Sequence, residues 1–115
     1  MSKTIERAEW SAYLRNFSET NKGRPTRVGI LKMHDGVVND YWIEDGLPLV
    51  AVDAYGDDAT ARVDMIFEDY THSIDGVARV DTIEEGADEG LDIADENGTT
   101  TQLRFEGWLE PDKQE

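Results

Sequence analysis

After Gly23 the hydrophobic period of the chain changes from about 3.6 residues to 2, which limits the fold to a helix followed by strands. Before the switch, Trp10, Tyr13, Leu14 and Phe17 recur at i, i+3, i+4 and i+7, a single apolar stripe on a helix. Ile5 extends that stripe. Glu6 and Glu9 sit near its start, where the helix dipole favours negative charge. Asn21-Lys22-Gly23 supplies a C-terminal cap, and Pro25 forbids continuation. The spacing predicts a helix over residues 5–20.

Beyond the switch, Thr26 to Met33 reads as a strand ended by a turn at His34-Asp35-Gly36. Tyr41-Trp42-Ile43 reads either as a short strand or as an ordered loop, closed by Glu44-Asp45-Gly46. Leu47 to Tyr55 reads as a central strand with Pro48 at its entry, a position that tolerates proline. Gly56-Asp57-Asp58 is the next turn. Ala61, Val63, Met65 and Phe67 then alternate with Arg62, Asp64, Ile66 and Glu68, the pattern of a half-buried strand. Ser73 to Ile83 reads as one strand interrupted by Gly76, as at a bulge or a tight backbone approach. Glu84 to Gly90 is an acidic connecting loop. Leu91 and Ile93 lead into Glu96-Asn97-Gly98, and Thr101, Leu103 and Phe105 return on the same face; Asn-Gly between alternating segments is a strong hairpin signal. Trp108 and Leu109 are expected beneath that hairpin.

The order predicts an α+β fold: an N-terminal helix followed by five or six antiparallel strands. A small bent barrel of the Sm or SH3 kind and an open twisted sheet with the helix on one face both satisfy it. One domain is expected over residues 1–110, with residues 111–115 a frayed tail.

Charge narrows the partners. Twenty-six acidic residues face eleven basic ones, a formal net charge of −15 distributed from Glu6 to Glu115. A negative field of that extent repels nucleic acid and anionic membranes, so neither is an expected direct partner. The acidity itself reads in three ways: a surface tuned for solubility or a salt-rich cytoplasm, attraction to a basic partner that includes mimicry of nucleic acid, or weak binding of divalent cations. The dispersed pattern favours the first. The chain has no cysteine, which excludes disulfide and thiolate chemistry and suits a reducing compartment. It opens without the apolar run of a signal peptide, and nothing in it approaches the roughly 18 apolar residues of a membrane span. The expected location is the cytoplasm.

Reactive constellations are not apparent. The glycines are scattered over turns and form neither GxGxxG nor GxxxxGK[ST], there is no GxSxG elbow, and the two histidines, His34 and His72, fall in different hairpins. His72 and Ser73 are adjacent and so face opposite ways on a strand. Carboxylate pairs such as Asp57-Asp58 and Glu84-Glu85 follow from acid density alone. Asp92 to Gly98 superficially suggests a calcium loop but lacks the required ligand spacing. No cofactor, metal ligand or catalytic residue is assigned. One segment reads as a contact surface: Tyr41, Trp42 and Ile43, aromatic residues flanked by Asp40 and Glu44-Asp45. The competing reading puts Trp42 in the core.

Arg7-x-x-Trp10 with Phe17 and Gly23, Leu47-Pro48-Leu49, Thr71-His72-Ser73-Ile74, Gly86 to Ile93, Asn97 to Thr101 and Leu103-Arg104-Phe105 together carry a resemblance. The chain resembles a family of short uncharacterised acidic prokaryotic proteins, a domain of unknown function. It departs from that pattern at Gly76-Val77, where such proteins tend to have proline. The resemblance implies a shared fold and no known activity. The expected function is therefore a small non-enzymatic domain acting through protein contacts or self-association. An acidic mimic that binds a basic DNA-binding protein and a small ligand-binding barrel or enzyme using carboxylates are the alternatives.

Overall fold

The chain meets its first partner before the helix begins. A computed structural model describes residues 2–34, 37–56, 61–84 and 89–105, with side chains for all of these but residue 2 and residues 33–45. The turn at Asp35-Gly36 and the residues Asp57, Asp58, Trp108, Leu109 and 111–115 lie outside the described residues.

Ser2–Ile5 forms strand β1. A single 3-10 turn follows at Arg7–Glu9, and helix α1 spans Trp10–Asn21. The helix thus starts later than the apolar stripe predicts. Ile5 is held extended because β1 pairs along β6 (Val77–Ile83), where Ile5 stands opposite Val80. The indole Nε1 of Trp10 also donates to the Ile5 carbonyl at 2.9 Å. Trp10, Leu14 and Phe17 are buried, as their spacing requires, with Tyr13 half-buried beside them.

The remaining strands are β2 (Pro25–His34), β3 (Val37–Tyr55), β4 (Arg62–Phe67), β5 (Tyr70–Asp75), β7 (Gly90–Asp95) and β8 (Thr99–Phe105). Among the described residues they form one antiparallel sheet in the order β1-β6-β7-β8-β2-β3-β4-β5. The fold is α+β, but eight strands replace the expected five or six, and the order is open, with β1 and β5 at its edges. No pairing of described residues closes it as an Sm- or SH3-type barrel would require. One additional strand is β1. The other comes from Ser73–Ile83, which is two strands: Gly76, at φ +63°, turns the chain from β5 onto β6. Gly76 O accepts from Glu96 N at 2.9 Å and Val77 N donates to Ala61 O at 3.1 Å, so the sheet curls until its distant parts meet there.

Pro48 lies inside β3 rather than at a strand entry. It pairs with Pro25 at the point where β3 leaves β2 and continues against β4. Two prolines cannot sustain a central ladder, so the handover between partners falls where the ladder is weakest. The freed backbone is taken up by the helix end. Gly23 N donates to Leu49 O (2.7 Å), Leu49 N donates to Arg24 O (3.0 Å), and Val52 N donates to the buried Ser18 Oγ (2.8 Å). Leu14, Val28, Val52, Val63, Met65, Val80, Leu91, Ile93 and Leu103 fill the resulting core.

Candidate functional site

The hairpin of β4 and β5 builds the most distinctive surface. Glu68 and Asp69 form a two-residue turn, so Phe67 and Tyr70 are opposite one another, followed by Ile66 with Thr71, Met65 with His72, Asp64 with Ser73 and Val63 with Ile74. In a two-residue hairpin the closing pair exchanges both backbone hydrogen bonds, and alternate pairs do so thereafter. The backbone groups of Thr71, Ser73 and Asp75 therefore point away from β4, toward an edge that no other described strand pairs.

Side chains alternate to match. Val63, Met65, Phe67 and Ile74 face the core, and Tyr70 and His72 lie half-buried at its rim. Phe67 and Tyr70 stack with centroids 6.0 Å apart, and the Tyr70 hydroxyl lies 3.2 Å from His72 Nδ1. Burial pushes the His72 pKa below its ordinary 6.5.

The opposite face of β3, β4 and β5 is polar and arranged in rows across the strands. Tyr55, Arg62 and Asp75 form one row, Asp53, Asp64 and Ser73 the next, Ala51, Ile66 and Thr71 the third. Asp53 and Asp64 stand directly opposite, an arrangement of like charges that destabilises a sheet unless a cation offsets it. Arg62 is the neighbouring cation. Its Nε approaches Asp64 Oδ1 to 3.2 Å without a hydrogen-bond angle, and its Nη2 donates a long 3.4 Å bond to Oδ2. Its guanidinium also lies 5.0 Å over the Tyr55 ring, whose hydroxyl donates to Asp53 Oδ2 at 3.3 Å. Desolvation, then the charges of Asp53 and Asp64, push the Tyr55 pKa above its ordinary 10.0 against the opposing pull of Arg62. Asp64 is 8% exposed, and no described donor bonds its Oδ1 in line.

Elsewhere, a cleft of about 230 Å³ lies between α1 and the junction of β6 with β7. Tyr13 and Phe17 line its apolar side and Asn16, Thr20, Thr82, Glu84 and Glu89 its polar side. The Tyr13 hydroxyl donates to Thr82 Oγ1 at 2.8 Å, and Arg24 holds Glu89 at 3.0 Å, so much of its polar lining is already engaged. Among the described residues no group of three or more histidine, aspartate or glutamate side chains is placed to hold a metal ion. Nor is any described helix long and apolar enough to cross a membrane.

Tyr41, Trp42 and Ile43 lie in β3, with Tyr41 opposite Ile30 and Trp42 opposite Gly29. The register shifts between Val28, which faces Glu44, and Gly29, so Ile43 is the extra residue of a β-bulge. Their side chains lie outside the described residues, as does that of His34. The calcium-like run from Asp92 to Gly98 is the end of β7 and its turn, in which Asp95 Oδ1 accepts from Asn97 N (2.8 Å) and Thr99 N (3.0 Å).

The pairing of Asp53 with Asp64 and the freedom of the β5 edge were not visible in the sequence. Both depend on strand register and strand order, which alternation alone does not encode. No family model and no curated protein matches the chain. A solved structure does: the crystal structure of Bacillus subtilis YojF protein, at 16% identity and a TM-score of 0.57, over 90% of this chain and 92% of that one. At this identity the likeness is one of fold.

Proposed function

We propose that the domain is a non-enzymatic protein-contact module whose docking element is the outer edge of β5, open to a partner strand or to a second copy. The observation that supports this is the contrast between the two edges of the sheet. Edge strands expose unpaired N–H and C=O groups, and proteins blunt them with short length, charged side chains (lysine above all) or proline; on β5 the one such charge is Asp75, at the end of the strand. At one edge β1 is four residues long and carries Lys3. At the other, β5 is six residues long, carries neither lysine nor proline, and leaves Thr71, Ser73 and Asp75 exposed. Strand addition uses such an edge: main-chain bonds give affinity and alternate side chains give specificity. The same reading places the protein in the cytoplasm, on its cysteine-free composition, and takes its dispersed acidity as a solubilising surface.

Thr71→Pro supplies the test. Its N–H points away from β4, so proline there removes an outward donor without breaking a bond to β4. The wild-type chain is expected to gain mass with concentration in light scattering, or to bind extended peptides, and Thr71→Pro to lose both at an unchanged melting temperature. A wild-type chain that stays monomeric and binds no extended peptide would remove the proposal.

A further inference from the structure

The face beside the β5 edge specifies what should dock there. We infer that β5 takes an extended, basic segment of a partner protein as an added strand, with a lysine or arginine beside Ser73 that extends toward Asp64, the nearer of the paired acids. The inference rests on the reading of β5 as the docking edge and adds the chemistry of its occupant.

Three observations carry it. First, the row Asp53, Asp64, Ser73 runs straight to the open edge and ends on a small, exposed side chain. Neighbouring strands lie roughly 4.8 Å apart, so a residue beside Ser73 on an added strand sits roughly 10 Å from the Asp64 backbone. A long basic side chain leaning across Ser73 covers the hydroxymethyl group with its stem and brings its charge toward the Asp64 carboxylate, which projects from β4 to meet it.

Second, the charge at the end of that lane is incompletely compensated. Among the described residues Asp53, Asp64 and Asp75 share the face with one cation, Arg62, which is 46% exposed and divided between Asp64 and the Tyr55 ring. Asp64 is buried, and a buried carboxylate oxygen without an in-line donor leaves part of its desolvation cost unrecovered. A second base brought in by a partner adds positive charge beside the pair and relieves the repulsion between Asp53 and Asp64, although the enclosed Oδ1 itself stays out of its reach.

Third, a second copy has the wrong chemistry. Antiparallel pairing of β5 with its own duplicate, centred on Ser73, sets each Asp75 opposite Thr71 of the other copy and continues one acidic face into another, between molecules that each carry a net charge of −15. Salt discriminates the two occupants. A basic strand binds more weakly as sodium chloride screens the attraction, whereas self-pairing strengthens as screening removes the repulsion.

The experiment uses the full chain and three end-blocked seven-residue peptides that alternate valine with lysine, with threonine or with glutamate. Amide exchange and NMR shifts at Thr71, Ser73 and Asp75 locate binding, and titration gives affinity at low and at molar sodium chloride. The lysine peptide is expected to protect these amides, to bind about tenfold more tightly than the threonine peptide, and to lose most of that advantage in salt. The double variant Asp53→Asn/Asp64→Asn is expected to erase the advantage. Ser73→Lys, which fills the lane from within, should erase it as well while the threonine peptide still binds. Equal affinity for all three peptides at the edge overturns the basic partner and leaves the docking edge standing. Lysine-peptide shifts spread over the surface, with no protection at β5, also overturn the basic partner. A dimer that strengthens with salt, with no peptide bound, makes the second copy the occupant. A monomer that protects no β5 amide with any peptide removes the docking edge itself.

Discussion

The guanidinium carbon of Arg24 lies 3.8 Å from the centre of the Phe105 ring. The same group donates to Asn21 Oδ1 at 2.8 Å and to Glu89 Oε2 at 3.0 Å. One side chain thereby fastens the end of α1, the approach to β7 and the last described residue of β8. Phe105 in turn stacks on Phe17, centroids 5.8 Å apart, so the contact continues into the core. Lysine cannot reproduce it, because an ammonium offers neither the flat face for the ring nor the fork for two acceptors. Arg24→Lys is expected to cost roughly 1 kcal/mol, discounted for partial exposure, and to lower the melting temperature by about 4 °C. Calorimetry of the two proteins checks this, and equal melting temperatures would refute it.

Ser18 joins the helix to the sheet. Its hydroxyl accepts from Val52 N at 2.8 Å and donates to Leu14 O at 2.6 Å, in a place where β3 has already left β2 and not every backbone group finds a strand partner. Ser18→Ala leaves the Val52 N–H buried and unsatisfied. The expected loss is about 1–3 kcal/mol. Urea unfolding should show a lower midpoint with an unchanged slope, and a midpoint equal to that of the wild type would mean the Val52 amide has another acceptor.

Local pattern was legible where one face of an element meets the core. Trp10, Leu14 and Phe17 in α1, the alternation of β4 and the Asn97-Gly98 turn are of this kind, because burial and turn chemistry write themselves into nearest-neighbour spacing. What was lost depends on partners distant in sequence. Ile5 belongs to the apolar stripe by spacing, yet β6 claims its backbone. Gly76 looks the same from sequence as a bulge within one strand or as a corner between two, and only the approach of Glu96 and Ala61 decides it. Tyr41-Trp42-Ile43 fits neither face because an extra residue at Ile43 shifts the alternation midway along β3. Asp64 reads as a solvent-facing strand position, and only the register with Asp53 and Ser73 makes it a buried acid beside an open edge.

Gly90 is the position at which a side chain is least admissible. A β-carbon there would fall 1.8 Å from the Leu103 carbonyl oxygen and 2.9 Å from its carbon, backbone atoms that cannot swing aside. Gly90→Ala must therefore part β7 from β8 at their first pair. The expected penalty exceeds about 3 kcal/mol, enough to leave a marginally stable domain largely unfolded. Far-ultraviolet dichroism and soluble yield check this; an alanine variant that melts like the wild type would show that β7 can shift its register.

Net charge makes its own prediction. With 26 acids against 11 bases the folded state concentrates repulsion that the unfolded chain dilutes. The Debye length falls from about 10 Å at 0.1 M salt to about 3 Å at 1 M, so sodium chloride should raise the melting temperature at neutral pH. An unchanged melting temperature across that range would separate the acidity from stability and weaken the case for adaptation to salt.

His72 sets a pH dependence whose sign follows from its burial. Its folded pKa lies below the ordinary 6.5, so between the two values the unfolded chain binds more protons than the folded one. Stability from this group is complete above pH 6.5, declines as the pH falls through that window, and is lost once the folded pKa has been passed. Acidification titrates many carboxylates as well, so the informative quantity is the difference between two proteins. His72→Gln keeps a polar side chain that can meet the Tyr70 hydroxyl, now 3.2 Å from Nδ1, but removes the proton uptake. The urea midpoints of wild type and variant should therefore run parallel above pH 7 and converge toward pH 5, the wild type losing more. Parallel curves throughout would show that the His72 ring charges without cost, and that the rim of the β5 edge is wetter than its half-burial implies.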